Sequence, residues 1–275
     1  MRIKDNLIVA IAFAAMLVLN IFAHMRLEAC SSGDGRYRLH AASLAVPSVI
    51  VEAMAGEFKG LAADYLLLEA GSFLGSRYAS QADQNDWDAV ARLLEQSNKL
   101  DPYFRQTYML TQSVLPWQTK KLPEALSILE RSKKHLPWDW IPGYYIGFDY
   151  YFFINDNATA ARYLMESSRV PGAPIALATL ASRLASRSGS AEAAIEFLKS
   201  ILVNTKNEGK KEMLKVRISA LEGVVTLQQA MDKFKAQFGH LPKSLNELVE
   251  SSNLTELPVN PYGRPYTIKD GVIDF

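Results

Sequence analysis

Residues 160–167 (AARYLMES) decide the fold, because they are one of four copies of the same phrase. The others are residues 91–97 (ARLLEQS), 125–132 (ALSILERS) and 193–200 (AAIEFLKS). Their opening alanines, Ala91, Ala125, Ala160 and Ala193, stand 34, 35 and 33 residues apart. Pro102, Pro137 and Pro171 follow the first three copies at intervals of 35 and 34. Within each copy the apolar residues return at helical spacing, so each copy reads as a helix. The proline behind it stops that helix, because it has no N–H to donate and clashes with the preceding turn. A period near 34 holds two helices and their connections. One such pair leaves an apolar face that only its neighbour can cover, which predicts a stacked helical array.

The period, the small residue early in the second helix and the closing proline together resemble the tetratricopeptide repeat. The unit between Trp140 and Pro171 carries most of this resemblance: Gly147 and Tyr150 stand where that family has Gly and Tyr, and Tyr163 takes its aromatic position. Ala181, Leu184, Ala193 and Phe197 fill the corresponding places in the next unit, whereas Gln112 stands where a small residue belongs in the preceding one. The resemblance covers residues 61–202 and implies a superhelix in which Gly147 or Ala181 lets two helices approach closely. The apolar residues 57–75 (EFKGLAADYLLLEAGSFLG) are expected to start the array. An apolar leader, ADYL at 63–66, LDPYF at 100–104 and PGAP at 171–174 are together similar to a group of membrane-linked bacterial repeat proteins.

Upstream of the array, residues 7–23 (LIVAIAFAAMLVLNIFA) hold Asn20 as their one polar side chain, after Arg2 and Lys4. As a helix these 17 residues span about 26 Å, near the lower limit for crossing a bilayer. An uncleaved signal anchor is the reading adopted, with membrane contact through residues 7–25. A lipoprotein signal ahead of Cys30 and a cleaved secretory signal are the alternatives. Arg2 and Lys4 favour a cytoplasmic N-terminus against Arg26, Arg36 and Arg38 on the other side, and the short N-terminal tail leads to the expectation of a single-pass inner-membrane protein with its bulk in the periplasm. The expected organisation is therefore an anchor at 1–27, a linker at 28–43, repeats at 44–209 and a different C-terminal part at 210–275.

That last part opens with a long amphipathic helix predicted over residues 210–238, stopped by Gly239. Asp270-Gly271, flanked by Tyr266-Thr267-Ile268 and Val272-Ile273-Asp274-Phe275, signals a β-hairpin. A long helix, a Gly-x-x-Pro turn, a short helix, an Asn-Pro-x-Gly turn and a terminal hairpin resemble the globular end of type II secretion pseudopilins. In that family the hydrophobic stem directly precedes this part, whereas here some 200 residues intervene. The fold class expected is thus mainly α, a helical-repeat superhelix behind a transmembrane helix, with a small α+β end.

The chemistry-bearing residues are sparse. Lys plus Arg number 30 against 29 acids, a net charge of +1, which gives no basic excess for nucleic acid. The basic cluster at 206–215 is interrupted by Glu208 and Glu212 and reads as a solvated helix face. Cys30 is the one cysteine, so neither an intrachain disulfide nor a thiolate zinc site can form. His24, His40, His135 and His240 are not at metal-ligand spacing. Asp139, Asp149 and Asp156 are 10 and 7 apart and read as helix caps or solvated groups. No catalytic, cofactor-binding or metal-binding residue is assigned, and the chain is not expected to be an enzyme.

Residues 138–153 (WDWIPGYYIGFDYYFF) are the unusual stretch. The repeat resemblance puts Ile141, Tyr144, Phe148 and Tyr151 on a concave, peptide-taking side, and Trp140, Ile146, Tyr150 and Phe153 in the core. Two readings stand: all these rings are core or a contact between copies of the chain, or Tyr144, Phe148 and Tyr151 form a groove for an extended or helical segment, with Arg105 and Gln106 adding polar contacts. The resulting expectation is a non-catalytic scaffold for a protein partner, in envelope assembly or a secretion or pilus system. The alternatives are a minor structural subunit of a pilus or type II secretion fibre, and an enzyme or carbohydrate-binding module using the aromatic groove. Homo-oligomers are compatible with either of the first two.

Overall fold

The computed structural model describes residues 48–76, 79–118, 121–269 and 271–275. The expected anchor at 7–25, the linker at 28–43 and Cys30 lie outside the described residues. Among the described residues, no helix is long and apolar enough to cross a membrane. The chain is mostly helical, with one small antiparallel sheet near its C-terminal end. The described residues fall into two compact units, one that ends at Asp101 and one at Pro102–Phe275.

In the first unit, α1 (Ser48–Ala55), a 3₁₀ turn at Gly56–Phe58 and α2 (Lys59–Leu74) precede α3 (Gln84–Leu100). A capping box starts α3: the Asp86 N–H donates to Asp83 Oδ1 at 3.0 Å, and the Asp83 N–H to Asp86 Oδ2 at 3.1 Å. These two bonds satisfy donors that the first helical turn would otherwise leave open. Ala63, Leu66, Ala70 and Phe73 of α2 and Val90, Leu93 and Leu94 of α3 are buried where the two helices pack. Ser97 Oγ ties them by donating to the Ala63 carbonyl at 3.0 Å. The other side of α1 and α2 is apolar too. Met54, Phe58, Leu61, Tyr65 and Leu68 are 63 to 81% exposed, a face that a solitary soluble helix would not carry.

The second unit runs α4 (Arg105–Gln118), α5 (Leu122–His135), α6 (Ile141–Asp149), a π-helical turn (Tyr150–Ile154), α7 (Asn157–Ser168), α8 (Ile175–Arg187), α9 (Ala191–Asn204), α10 (Glu208–Phe238) and α11 (Asn246–Glu250). Strands β1 (Thr267–Lys269) and β2 (Val272–Asp274) follow, paired antiparallel with Ile268 opposite Ile273. From α4 to α10 each helix packs chiefly on its neighbours in sequence. The predicted stop of the long helix is present, with Gly239 in the left-handed region at φ 76°.

Burial sharpens the period. The buried stripe runs 90/93/94/97 in α3, 125/128/129/132 in α5, 160/163/164/167 in α7 and 194/197/198 in α9. Its first members, Val90, Ala125, Ala160 and Ala194, are 35, 35 and 34 residues apart. The phase taken from Ala91 and Ala193 is one residue out at each end, and Ala193 is exposed. Burial at i, i+3, i+4 and i+7 sets the phase of a packed helix; alanine identity alone does not.

Gly147 has the packing role inferred for it. A methyl group there would meet Leu164 Cγ at 2.8 Å and the Ala160 carbonyl oxygen at 3.2 Å, so α6 and α7 touch through the missing side chain. Tyr163 then stacks on Tyr150, with centroids 5.7 Å apart and planes 12° apart. At the far end, a hydrophobic cluster runs without a break from Ala160 to Phe275. Tyr266 fills the notch above Gly223 and donates its hydroxyl hydrogen to the Ala220 carbonyl at 2.9 Å. Residues 210–275 therefore share their core with α7, α8 and α9.

Candidate functional site

The aromatic stretch is positioned by a clasp at the start of α6. The Ile141 N–H, at the first residue of the helix, donates to Asp139 Oδ1 at 3.1 Å. The other carboxylate oxygen of Asp139 accepts from the Tyr108 hydroxyl at 2.6 Å and lies 3.0 Å from Arg105 Nε. Burial, and after it the bond to Asp139, pushes the Tyr108 phenol well above its ordinary range, so it stays a neutral donor. This clasp fixes α4 against the entrance to α6.

Between the two helices lies a groove of about 530 Å³. Gln106, Met109, Ser113 and Trp117 of α4 form one wall; Tyr144, Tyr145 and Phe148 of α6 form the other. The rings run as a connected series. Trp140 meets Tyr144 at 5.9 Å, Tyr144 meets Phe148 at 6.5 Å, and Phe148 stacks on Phe152 at 5.4 Å with planes 9° apart. Trp117 closes the series at 6.2 Å from Phe148, 5.3 Å from Phe152 and 5.0 Å from Phe153. Trp117 is 49% exposed and Met109 45%, so the wall is open to a partner.

The π-helical turn explains how the rings are shared out. A wider turn puts about one extra residue into the helix, so the stripe that runs through 144 and 148 continues at Phe152 and Phe153. Tyr151 is carried off that stripe and out of the groove lining; with Tyr150, and like Tyr144, it packs against the hydrophobic core. Asn155, left-handed at φ 59°, ends the turn, and the Asp156 N–H donates back to the Tyr150 carbonyl at 2.9 Å.

Of the five residues singled out in the sequence, the structure brings Tyr144, Phe148 and Gln106 together in the groove. Tyr151 does not line it, and Arg105 is held in the Asp139 clasp. Trp140 and Phe153, assigned above to the core, are half-buried members of the ring series. Sequence reasoning missed Met109 and Trp117. Their signal was the spacing of Gln106, Met109, Ser113 and Trp117, one face of a helix read at i, i+3, i+7 and i+11.

One polar pair underlies the groove. Gln112, from the same lining, donates from Nε2 to Asp149 Oδ1 at 2.6 Å, and both side chains are buried. Gln112 Oε1 and Asp149 Oδ2 have no hydrogen-bond partner among the described residues. Burial pushes the Asp149 carboxyl up to about 6, against the opposing pull of Gln112. Asp149 is therefore neither a cap nor a solvated group, and Asp139 is held in the ion pair with Arg105; Asp156 does cap a helix, its Oδ1 accepting from the Thr159 N–H at 3.0 Å.

Among the described residues, no group of three or more His, Cys, Asp and Glu side chains is placed to hold a metal ion. His135 Nδ1 lies 2.8 Å from the Arg131 carbonyl and His240 Nδ1 3.0 Å from the Leu241 carbonyl; His24 and His40 are outside the described residues. The groove offers apolar burial, aromatic faces and a few amide groups, the means of holding a peptide side chain or the apolar stripe of a helix. No protein-family model matches the chain, and no curated protein matches it.

Proposed function

We propose that this chain is a non-catalytic scaffold whose α4–α6 groove holds an apolar peptide or helix of a protein partner. The carrying observation is the open aromatic wall: Trp117, Tyr144 and Phe148 surround a cleft instead of a closed core. Interfaces draw much of their energy from aromatic anchors in such clefts. The repeat reading adds that these helices belong to a tetratricopeptide-like superhelix, with the groove on its concave side.

In the same proposal residues 7–25 anchor the chain in a bacterial inner membrane and the units work in the periplasm, in envelope assembly or a secretion or pilus system. The exposed apolar face of α1 and α2, close in sequence to that segment, is consistent with a chain built to meet other envelope components. The alternative of a minor fibre subunit draws less support. Tyr266, Ile273 and Phe275 are buried in this chain's own cluster, which commits the terminal hairpin to internal packing.

Photo-crosslinking in cells tests the reading. Probes at positions 106, 109 and 113 should capture one and the same protein, and a probe at the exposed Lys199 of α9 should not capture it. Capture of that protein from all four positions alike, or from none, would remove the groove as its docking site.

A further inference from the structure

A second pocket, of different chemistry, lies between α8, the start of α10 and the segment before β1, with a volume of about 910 Å³. Each of these elements supplies one arginine to it: Arg183, Arg217 and Arg264. Leu180, Met213 and Val216 make the rest of its wall largely apolar. It shares no residue with the α4–α6 groove.

Arg217 is 8% exposed. Its Nε donates to Ser182 Oγ at 3.2 Å, its Nη2 donates to the Thr179 carbonyl at 3.0 Å, and the Phe275 ring centre lies 4.6 Å from its guanidinium carbon. All three partners are neutral, and among the described residues no carboxylate is within ion-pair distance of Arg217. Burial works against its charge, the Tyr262 hydroxyl works for it, and the neighbouring Arg183 and Arg264 work against it again.

The other two arginines leave the pocket positive. Arg264 Nη2 donates to the Phe275 main-chain oxygen at 2.6 Å. Arg183 reaches Asp274 at 3.3 Å, but Asp274 also serves Arg187 at 3.0 Å, and Arg183 Nε is buried with no partner among the described residues. Glu212 is the acid in the lining; its side chain is 69% exposed and 4.0 Å from Lys215. Buried charges are ordinarily paired; Arg217 is the buried one of the three and has only neutral partners, while the half-buried Arg183 shares Asp274 with Arg187 and the exposed Arg264 holds the Phe275 main-chain oxygen.

We propose that this pocket binds an oxyanion carried on an apolar body, a carboxylate or phosphate attached to a hydrocarbon. The guanidinium forks match the paired oxygens of either head group, and Leu180, Met213 and Val216 receive the hydrocarbon. Inorganic phosphate fills the head position alone, and a neutral alcohol fills the tail position alone.

The test is calorimetric titration of the full chain with hexanoate, hexyl phosphate, hexanol and inorganic phosphate. The expected result is saturable one-to-one binding of hexanoate or hexyl phosphate, with hexanol and inorganic phosphate about tenfold weaker or more. The tighter of the two amphiphiles identifies the head group as carboxylate or phosphate. Arg264→Gln should weaken the binding about tenfold, the loss of one charge-assisted contact. Because that change also removes a bond to Phe275, Met213→Glu is the second variant. It sets a carboxylate at a half-exposed position of the wall and should lower affinity equally, with an unchanged melting temperature. The proposal is overturned if neither amphiphile binds, if hexanol binds as well as hexanoate, if inorganic phosphate binds as tightly as hexyl phosphate, or if both variants bind like the parent chain.

Discussion

Gln112 Nε2 donates to Asp149 Oδ1 at 2.6 Å between α4 and α6, and neither Gln112 Oε1 nor Asp149 Oδ2 has a partner among the described residues. Position 112 is where the repeat resemblance leaves room for a small side chain. Here an amide fills it and meets a buried acid.

Asp149 makes stability depend on pH with a sign opposite to that of most carboxylates. Its folded value is raised to about 6, chiefly by burial, so between about pH 4 and pH 6 the folded state holds more protons than the unfolded one. Stability therefore falls as pH rises through that window and stays low above it. Asp149→Asn keeps an acceptor for Gln112 and adds a donor, without the charge. Urea unfolding should show the variant more stable than the parent by about 1–3 kcal/mol at pH 8, with the gap closing near pH 4. A variant less stable at both pH values would refute the reading.

Two glycines separate close approach from mere flexibility. Gly147→Ala drives a methyl group into Leu164 and should destabilise the second unit by about 1–3 kcal/mol. Gly71, in the last turn of α2, has nothing within 4 Å of an added methyl group. Gly71→Ala should therefore stabilise its unit by about 0.5–1 kcal/mol through helix propensity alone. Denaturant midpoints compare the two.

Tyr151 and the groove should come apart in experiment. Tyr151→Ala removes a half-buried ring from the core side and should lower stability by about 1–3 kcal/mol. Its effect on partner affinity should be no larger than that unfolding accounts for. If Tyr151→Ala abolishes partner binding in a protein that melts normally, the π-turn account of the ring positions is wrong.

The terminal hairpin has a similar anchor. Tyr266→Phe loses the bond to the Ala220 carbonyl and should reduce stability by about 1 kcal/mol. Gly223→Ala, which collides with the Tyr266 ring, should have the larger effect. Thermal melts of the two variants give the order directly.

Helix class, the period near 34, the stop at Gly239 and the hairpin around Gly271 were legible in the sequence, because each rests on local chemistry: spacing, proline, a left-handed glycine. The phase of the repeat was less legible, since Ala91 and Ala193 mark composition while burial marks packing. Half of the groove was visible in Tyr144 and Phe148. The π-helical turn was not, because a run of aromatic residues carries no signal for one extra residue in a helical turn, and Tyr151 went to the core for that reason. The burial of Asp149 and the convergence of Arg183, Arg217 and Arg264 depend on contacts between residues far apart in the chain, which no local pattern announces.

Trp117 is the residue on which the α4–α6 docking site stands or falls, because it is half exposed and touches Phe148, Phe152 and Phe153. Once crosslinking has identified the partner, its affinity for the purified parent chain and for Trp117→Glu should be measured side by side. Affinity should fall by at least about tenfold with an unchanged melting temperature. Equal affinity in the two proteins would contradict docking there.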